Sequence, residues 1–384
     1  MVESVEPLFN LELDRMLVSR HCFVIAGTLF ALFAQRAVLL ADDHLNRLRQ
    51  DQPEDTRFVK TESGFMVPYV QVIPKTGERI EMLPIPGATI RVRAADGNKL
   101  NAKANNQAIT IEPFWMSKTE ITMEQYMPYR QLYLRHREAS HEPGFKELEF
   151  GDVDGVSAPT TLYDPDYHFE YAESMDSAMP TTSQFAARQY TKWLSLVSER
   201  DYRLPHRNEW RHACHSGNRD ESGELTNYGF GNDANRLGQY GNFYAGGSKE
   251  VTTAVGLKLP NAWGLQDMHG NLSEWVIDKV PNNLLPYGHI AMGGNFDSDA
   301  VDCQCGSMVR STEDWWDEDP DFPRSPWWTT SDEGRATGFR ILSPLRSMTS
   351  EERLRFWEAD SESLRVDVRM RYEEGRGSFG PVDP

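Results

Sequence analysis

Two acidic side chains lie on either side of a sharp turn in the sequence. Asp267 and Glu274 flank Gly270-Asn271, with bulky apolar residues around them. Glycine tolerates positive φ and asparagine hydrogen-bonds to its own main chain, so this pair favours a chain reversal. The reversal brings both carboxylates and the carbonyls of Gly270 and Leu272 around one point. Oxygen ligands suit a hard cation, so the stretch predicts a calcium site, with an ordinary polar turn as the alternative.

Sulfur ligands form a second candidate site. The four cysteines are Cys22, Cys214, Cys303 and Cys305, and the first lies in an apolar N-terminal segment. The remaining three are too few for a disulfide scaffold in a chain of this size, so folding must rest on a hydrophobic core. Cys303 and Cys305 are too close in sequence for an easy mutual disulfide. Cys214 can pair with either of them, and the sequence leaves that choice open.

Composition limits the classes of function. The 384 residues carry a net charge of −18, from 58 acidic and 40 basic side chains. Binding along a nucleic-acid backbone depends on clustered Lys and Arg, so we expect no nucleic-acid partner. The chain has 28 Gly, 22 Pro and 10 Trp residues, which favour a loop-rich domain with an aromatic core.

The N-terminal segment 1–41 has the pattern of a secretory signal. Basic residues precede the apolar run 22–34, which is too short to span a membrane and fits the hydrophobic part of a signal with cleavage near Ala41. Met16 makes a better start than Met1. We therefore expect export to a periplasm, a secretory lumen or the exterior. The alternatives are a buried helix or an uncleaved anchor at 22–41. We expect membrane association only through such an anchor.

Beyond this segment we predict three regions. Residues 42–80 have little pattern and read as a linker, residues 81–345 form the main domain, and residues 346–384 form a charged helical tail whose end is disordered. The clearest helix runs from Thr181 to Arg200, where Thr181 and Gln184 have the spacing of a capping box. Thr122 and Gln125 have the same spacing. Predicted strands are 82–90, 109–116, 252–255, 290–296 and 338–341.

Several short motifs follow one another within residues 81–345. They are Ile85-Pro-Gly-Ala-Thr, Phe114-Trp-Met-Ser-Lys-Thr-Glu-Ile-Thr, Pro180, Tyr202-Arg-Leu-Pro with Glu209-Trp210, Trp263-Gly-Leu, Gly270-Asn-Leu-Ser-Glu-Trp275, Gly293-Gly-Asn-Phe296, Arg310-Ser311 and Gly338-Phe-Arg340. In order and spacing they resemble the formylglycine-generating enzyme family, also called sulfatase-modifying factors. The resemblance implies an α+β fold, irregular, loop-rich and C-type-lectin-like. It also implies that the Asp267–Glu274 turn is a calcium site, with a weaker second one near Asn235.

The resemblance further implies a copper site. Enzymes of that family oxidise a cysteine of a client sulfatase to formylglycine with molecular oxygen and copper held between two thiolates. Soft thiolates select Cu(I). Counted from Gly293-Gly294, the second cysteine of the family falls on Cys303, but the first falls on Ser298, a poor copper ligand. Asn295 and Ser273 also depart from the family pattern, in the region that lines its substrate groove.

Cys305 is a candidate substitute for the missing ligand. In an extended segment, side chains at i and i+2 point to the same face, so Cys303 and Cys305 can meet one metal ion. Asp297, Asp299 and Asp302 work against this, because neighbouring negative charge raises the pKa of a thiol. The alternative is that both thiols are incidental in a diverged loop.

A long insert between Arg310 and Gly338 is a candidate binding surface. It contains four tryptophans among acids and prolines, namely Trp315, Trp316, Trp327 and Trp328. Long irregular loops are often functional, and aromatic faces beside carboxylates suit sugars, cationic peptides or a partner protein. The alternative is that the tryptophans pack as a core for their own loop.

Two functional hypotheses follow. The first is an exported, diverged or non-catalytic family member that binds a protein or a glycan through Ser273 and the insert tryptophans. The second is an active oxidase that converts the active-site cysteine of a sulfatase client, with Cys303 as a copper ligand. The broken pair at Ser298 favours the first.

Overall fold

The computed structural model describes residues 47–92, 107–139, 141, 156–159, 170–247, 250–280, 287–316, 328–373 and 378–379. The predicted signal or anchor at 1–41 lies outside these residues. The chain divides into two compact units, Met1–Val67 and Pro68–Pro384. Within the described residues, every helix is too short or too polar to cross a membrane.

The first unit contains a small antiparallel sheet. Strands β1 (Leu48–Arg49), β2 (Val59–Thr61) and β3 (Gly64–Met66) have the order β1-β3-β2. Gly64 allows the tight β2–β3 connection because its φ is +127°, and a Cβ there would lie 2.6 Å from the Arg49 carbonyl oxygen. These strands fall inside the predicted linker 42–80. They are too short for an alternating sequence pattern to show.

Two four-stranded sheets form the frame of the second unit. The antiparallel sheet β14-β8-β5-β4 joins strands from both ends of this unit. The sheet β12-β11-β10-β13 starts at the Gly270-Asn271 turn, and its β10–β13 pair is parallel. The strands of the first sheet are β4 (Tyr69–Val72), β5 (Arg79–Ile85), β8 (Phe114–Ser117) and β14 (Leu342–Pro344). Those of the second are β10 (Ser273–Lys279), β11 (His289–Met292), β12 (Met308–Arg310) and β13 (Thr337–Gly338).

Two smaller pairs complete the strands of this unit. Strand β6 (Ala88–Val92) pairs with β7 (Gln107–Ile111), and β9 (Val156–Ser157) pairs with β15 (Ser378–Phe379). The β9–β15 pair ties the last described residues of the chain to the middle of the sequence.

Helix α3 (Gln184–Ser198) is the long helix that the sequence predicted, but it begins later than expected. Its N-cap is Ser183, whose hydroxyl accepts from the Ala186 N–H, whereas Thr181 has a φ of +52° and lies outside the helix. Helix α1 (Met123–Arg130) has the predicted Thr122–Gln125 capping box. The other helices are α2 (Leu132–Ala139), α4 (Arg207–His215), α5 (Ser350–Trp357) and α6 (Glu362–Glu373).

The core is strongly aromatic, as the composition predicts. Tyr126, Tyr129, Tyr190 and Trp193 pack ring against ring between α1 and α3, with centroid separations of 5.2 to 6.0 Å. Aromatic pairs at these separations contribute beyond their buried area. A second cluster under α4 includes Trp210 and holds the β10 and β11 strands in place.

Candidate functional site

The turn that begins β10 is buried and held by a carboxylate from another part of the chain. Gly270 lies so close to Asn242 that a Cβ would come within 2.1 Å of its carbonyl oxygen. Glu120 accepts from the Asn271 side-chain amide at 2.7 Å and from the Leu272 N–H at 2.9 Å. Glu120 is not among the site residues predicted from the sequence. No local signal marks it, because the polar residues 117–119 precede it and Glu124 follows four residues later, so it resembles an ordinary acid of an exposed polar segment.

Glu274 forms a buried ion pair. The Arg340 Nε and Nη2 atoms each lie 2.6 Å from a carboxylate oxygen of Glu274, and the Trp210 indole N–H donates to the same carboxylate at 2.6 Å. Arg340 also donates to the carbonyls of Ser117 and Gln266. A fork of this kind fixes β10 against three other segments of the fold.

This arrangement does not fit the full calcium-ligand set predicted for the turn. Both oxygens of Glu274 are used by Arg340 and Trp210, and Asp267 accepts from the Gly256 N–H at 2.7 Å. The structure gives Glu274 an arginine as its partner where the sequence predicted a cation. Calcium at this turn stays a prediction, with Asp267 and the carbonyls of Gly270 and Leu272 as the remaining candidate ligands.

The second predicted calcium position also has a local partner. The main-chain and side-chain N–H groups of Asn235 both donate to the Asp233 carboxylate at 3.0 Å, which caps a short 3₁₀ helix, Ala234–Gln239. Calcium at Asn235 stays a prediction.

Three carboxylates share the interior with one guanidinium. Burial, with the negative charges of Asp267 and Glu274, raises the pKa of Glu120 well above its usual range. Burial also raises the pKa of Asp267 to about 6, against the Gly256 N–H and Arg340, which lower it. Three carboxylates beside one guanidinium leave an excess of negative charge, and the raised pKa values of Glu120 and Asp267 reduce that excess by favouring their protonated forms.

The cysteines are arranged differently from the predicted copper pair. Cys214 forms a disulfide with Cys305, joining α4 to the loop before β12 across 91 residues of sequence. Cys305 is therefore not available as a substitute ligand beside Cys303 in this state. Cys303 is the free cysteine of the described residues and has no exposed surface. Burial, with Asp302 and Asp299, raises the pKa of its thiol to about 12.

The position of the missing cysteine is filled by a hydrogen-bonded turn. The Ser298 hydroxyl accepts from the Asn295 N–H at 3.0 Å and lies 3.2 Å from the Asn295 side-chain oxygen. The Asn295 side-chain amide donates to the Ser273 hydroxyl at 3.1 Å. The three departures from the family pattern therefore contact one another. Ser273 is buried inside this network, so the surface role predicted for it is not supported by its position.

These residues do not fit a copper ion between two thiolates. Ser298 offers a hydroxyl that is already hydrogen-bonded, Cys305 is in a disulfide, and the Cys303 thiol has a raised pKa. Cu(I) selects soft thiolate ligands, and one buried thiol does not supply the pair. The expected effect of acidic neighbours on this thiol is confirmed for Asp299 and Asp302, although burial is the larger cause.

The insert tryptophans differ in how deeply they are buried. Trp328 is buried and packs on Phe185 at a centroid distance of 5.4 Å, so it belongs to the core and not to a binding surface. Trp316 packs partly against the same cluster. Trp315 is half-buried and meets Trp275 edge to face at 5.8 Å. Trp327 lies outside the described residues.

Trp315 and Trp316 line a small cleft, which we call the tryptophan cleft. Its enclosed volume is about 10 Å³, room for one water molecule. His289 in its wall contacts the Asp360 carboxylate at 3.0 Å, and Glu313 and Asp314 are exposed beside it. The lining residues are Ser183, Gln184, Trp275, His289, Ser311, Trp315, Trp316 and Thr330.

Comparison with known proteins agrees with the motifs. Residues 70–343 match the family described as "Sulfatase-modifying factor enzyme 1-like domain". This match confirms the resemblance and the α+β, loop-rich, C-type-lectin-like fold class predicted from it. No curated protein matches the chain.

Similar solved structures have low sequence identity to this chain. Treponema denticola variable protein 1 is 15% identical over 72% of this chain and 99% of its own, with a TM-score of 0.46. CarF is 19% identical over 70% and 99%, with a TM-score of 0.43. PvdO from Pseudomonas aeruginosa is 17% identical over 72% and 98%, with a TM-score of 0.44.

Proposed function

Because this chain belongs to the sulfatase-modifying factor enzyme 1-like family, we propose that it is a diverged, non-catalytic member that binds a protein or glycan partner. The observation that carries this proposal is the Asn295–Ser298–Ser273 network at the position of the family's first cysteine. The Ser298 hydroxyl, which stands where the family has a thiol, is already hydrogen-bonded in this network. We therefore expect that Ser298→Cys alone does not recreate a copper ligand.

The state of the remaining thiol supports the same proposal. Copper-dependent oxidation needs a thiolate that the client cysteine can approach. Cys303 is fully buried, and its pKa of about 12 keeps it protonated at neutral pH. A buried protonated thiol is an inert structural group in most proteins.

We place partner binding at the rim of the tryptophan cleft. Trp315 and Trp316 present half-buried indole faces there, and the exposed Glu313 and Asp314 supply negative charge. Aromatic faces beside carboxylates bind sugar rings and cationic groups. The cleft itself holds no more than a water-sized group, so the partner rests on the rim.

Export is part of the proposal. The Cys214–Cys305 disulfide supports it, since such bonds persist mainly in oxidising compartments. The N-terminal pattern at 1–41 supports it independently. A fusion of residues 1–41 to a reporter that is active only after export tests it.

The decisive test of catalysis is mass spectrometry of a sulfatase-type cysteine peptide. Residues 42–384 are incubated with the peptide, Cu(I), calcium and air, after circular dichroism shows that the chain is folded. We expect no conversion of cysteine to aldehyde, either by the wild type or by Ser298→Cys. Conversion by the wild type that disappears in Cys303→Ala would establish the alternative, an active formylglycine-generating oxidase.

Binding is tested separately with a panel of oligosaccharides and cationic peptides. Quenching of tryptophan fluorescence measures the affinity of each compound. Trp315→Ala and Trp316→Ala should lose the interaction. Trp263→Ala is the matched control, because Trp263 is partly buried near His212, away from the cleft. Equal loss in all three variants would show that the cleft is not the binding surface.

A further inference from the structure

Two sulfurs and one imidazole converge in the interior beneath α4. The ligand atoms of Cys214, His269 and Cys305 all lie within 4.8 Å of one another, and all three residues are buried. His269 Nε2 is 3.9 Å from the Cys214 sulfur. An imidazole nitrogen and a thiolate sulfur on one tetrahedral zinc ion lie about 3.6 Å apart, given zinc bonds of about 2.0 and 2.3 Å. The His269–Cys214 spacing is therefore close to that of a formed site, whereas the two sulfurs, bonded to each other in the disulfide, separate on reduction before both can bind one ion.

The orientation of His269 is also that of a metal ligand. Its Nδ1 atom is 2.8 Å from the Cys303 carbonyl oxygen, so Nδ1 carries the proton and donates it. Nε2 then has the free lone pair, and at present it accepts from the Gly229 N–H at 3.1 Å. A backbone carbonyl that fixes the tautomer in this way is the usual outer partner of a metal-binding histidine.

We propose that the reduced chain binds a thiophilic metal ion, of which Zn(II) is the probe, through Cys214, His269 and Cys305. The two sulfurs either form the disulfide or bind the ion, so the two states exclude each other. The site uses neither the Ser298 hydroxyl nor the Cys303 thiol, and it does not depend on the proposed binding function.

Reduction of the disulfide precedes binding of the ion. A dithiol reductant gives two electrons and two protons to the Cys214–Cys305 bond and becomes a disulfide itself. The two new thiols lose their protons when the ion binds, so each ion releases two protons. The His269 lone pair turns from the Gly229 N–H to the ion, and one hydrogen bond is exchanged for one metal–nitrogen bond. In the reverse direction a small-molecule disulfide accepts two electrons from the two thiolates and two protons from water and becomes two thiols, while the Cys214–Cys305 bond forms again and the ion leaves unchanged in oxidation state.

The test uses the full chain reduced with a water-soluble phosphine and desalted without oxygen. The phosphine becomes its oxide with oxygen from water, and leaves two thiols. Titration with Co(II) should give a thiolate-to-cobalt absorption band that saturates at one equivalent, and Zn(II) should remove it. Two protons should be released per ion in weak buffer. The oxidised chain should bind no ion.

Variants assign the ligands. His269→Gln should weaken Zn(II) binding at least tenfold, and Cys214→Ser should lose about half of the thiolate band. Cys303→Ser is the matched control: it removes the other described thiol and keeps the carbonyl that accepts from His269. Loss of the ion in Cys303→Ser with retention in Cys214→Ser overturns the proposal.

Folding is followed in parallel, because the disulfide stabilises the chain. If reduction alone unfolds the protein, Zn(II) present during reduction should preserve its near-ultraviolet circular dichroism and raise its Tm. A reduced, folded chain that binds no ion overturns the proposal. So does a chain that unfolds on reduction equally with and without Zn(II).

Discussion

Arg340 donates to both carboxylate oxygens of Glu274 in the interior of the second unit, with both distances at 2.6 Å. The side chains are 0% and 1% exposed. The pair connects β10 to the chain just before β14, and Trp210 adds a third donor from α4. Burying two charges is costly, and their attraction offsets that cost only while both are present.

We expect Glu274→Gln to be strongly destabilising. The variant leaves the Arg340 charge buried beside a neutral amide, and breaking a buried pair in this way costs about 3–5 kcal/mol. Urea unfolding at 25 °C should show a lower midpoint with little change in slope.

The exposed pair between Lys118 and Glu81 is the matched control. Its N–O distance is 3.1 Å, but the two side chains are 32% and 58% exposed. Water and salt screen such a pair, so Glu81→Gln should change the free energy of unfolding by no more than about 1 kcal/mol. Similar losses in Glu274→Gln and Glu81→Gln would contradict the role given to burial.

Asp267 should make the protein less stable as the pH rises. Its pKa is about 6 in the folded chain and near 3.8 in the unfolded chain, so the folded state holds the proton more tightly. The free energy of unfolding therefore falls between about pH 4 and pH 6. A shift of one pKa unit corresponds to about 1.4 kcal/mol, which gives at most about 3 kcal/mol here.

Asp267→Asn should remove this loss of stability at higher pH. Asparagine keeps an oxygen for the Gly256 N–H and tolerates the φ of +56° at this position. In a chelator, the variant should be more stable than the wild type at pH 8, and the two should converge near pH 4. Calcium that stabilises the wild type and not the variant would instead support the predicted calcium site.

Local patterns were enough to predict the family and several elements. The Thr122–Gln125 capping box and the aromatic periodicity of α3 depend on neighbours three or four residues apart, which a sequence displays directly. The motif order gave the fold class because each motif sits at a fixed point of the family fold. The cap of α3 was misplaced since Ser183 and Thr181 offer the same hydroxyl, and only tertiary packing selects between them.

Long-range partners were not readable from the sequence. Glu274 was predicted as a cation ligand because its true partner, Arg340, is 66 residues away and the sequence does not show that the two meet. The choice of Cys305 for the disulfide required the position of Cys214 on α4, which depends on packing of the whole domain. The sequence left Trp328 between a binding surface and a core for its own loop, because burial of a loop tryptophan is decided by the helix that it meets, here through Phe185.

Loss of the disulfide should lower stability substantially. The bond closes a loop with a sequence separation of 91, for which the chain-entropy estimate is roughly 4–5 kcal/mol. The double variant Cys214→Ala with Cys305→Ala should melt well below the oxidised wild type. Its Tm should not respond to reductant in metal-free buffer.

Cys303→Ser provides the comparison for that measurement. It leaves the disulfide intact, so its Tm should still fall when reductant is added. A Tm of the wild type that is insensitive to reductant, with the bond shown to be reduced, would contradict the stabilising role of the disulfide.

We expect Arg188 of α3 to hold the C-terminal helices α5 and α6 in place. This buried side chain donates to the Arg355 carbonyl at 2.6 Å and to the Phe356 carbonyl at 3.0 Å, in the last turn of α5, and lies 3.4 Å from Asp360. A cation at this end of a helix satisfies carbonyls that have no partner within it. Arg188→Met should lower the free energy of unfolding by about 3 kcal/mol, because Asp360 loses a buried cation and the carbonyls lose their donors.

Limited proteolysis of Arg188→Met should cut first within 349–373. The control is Arg353→Met, at an arginine that is 46% exposed, which should leave the cleavage pattern unchanged. Cleavage at the same rate in both variants would show that Arg188 does not hold these helices.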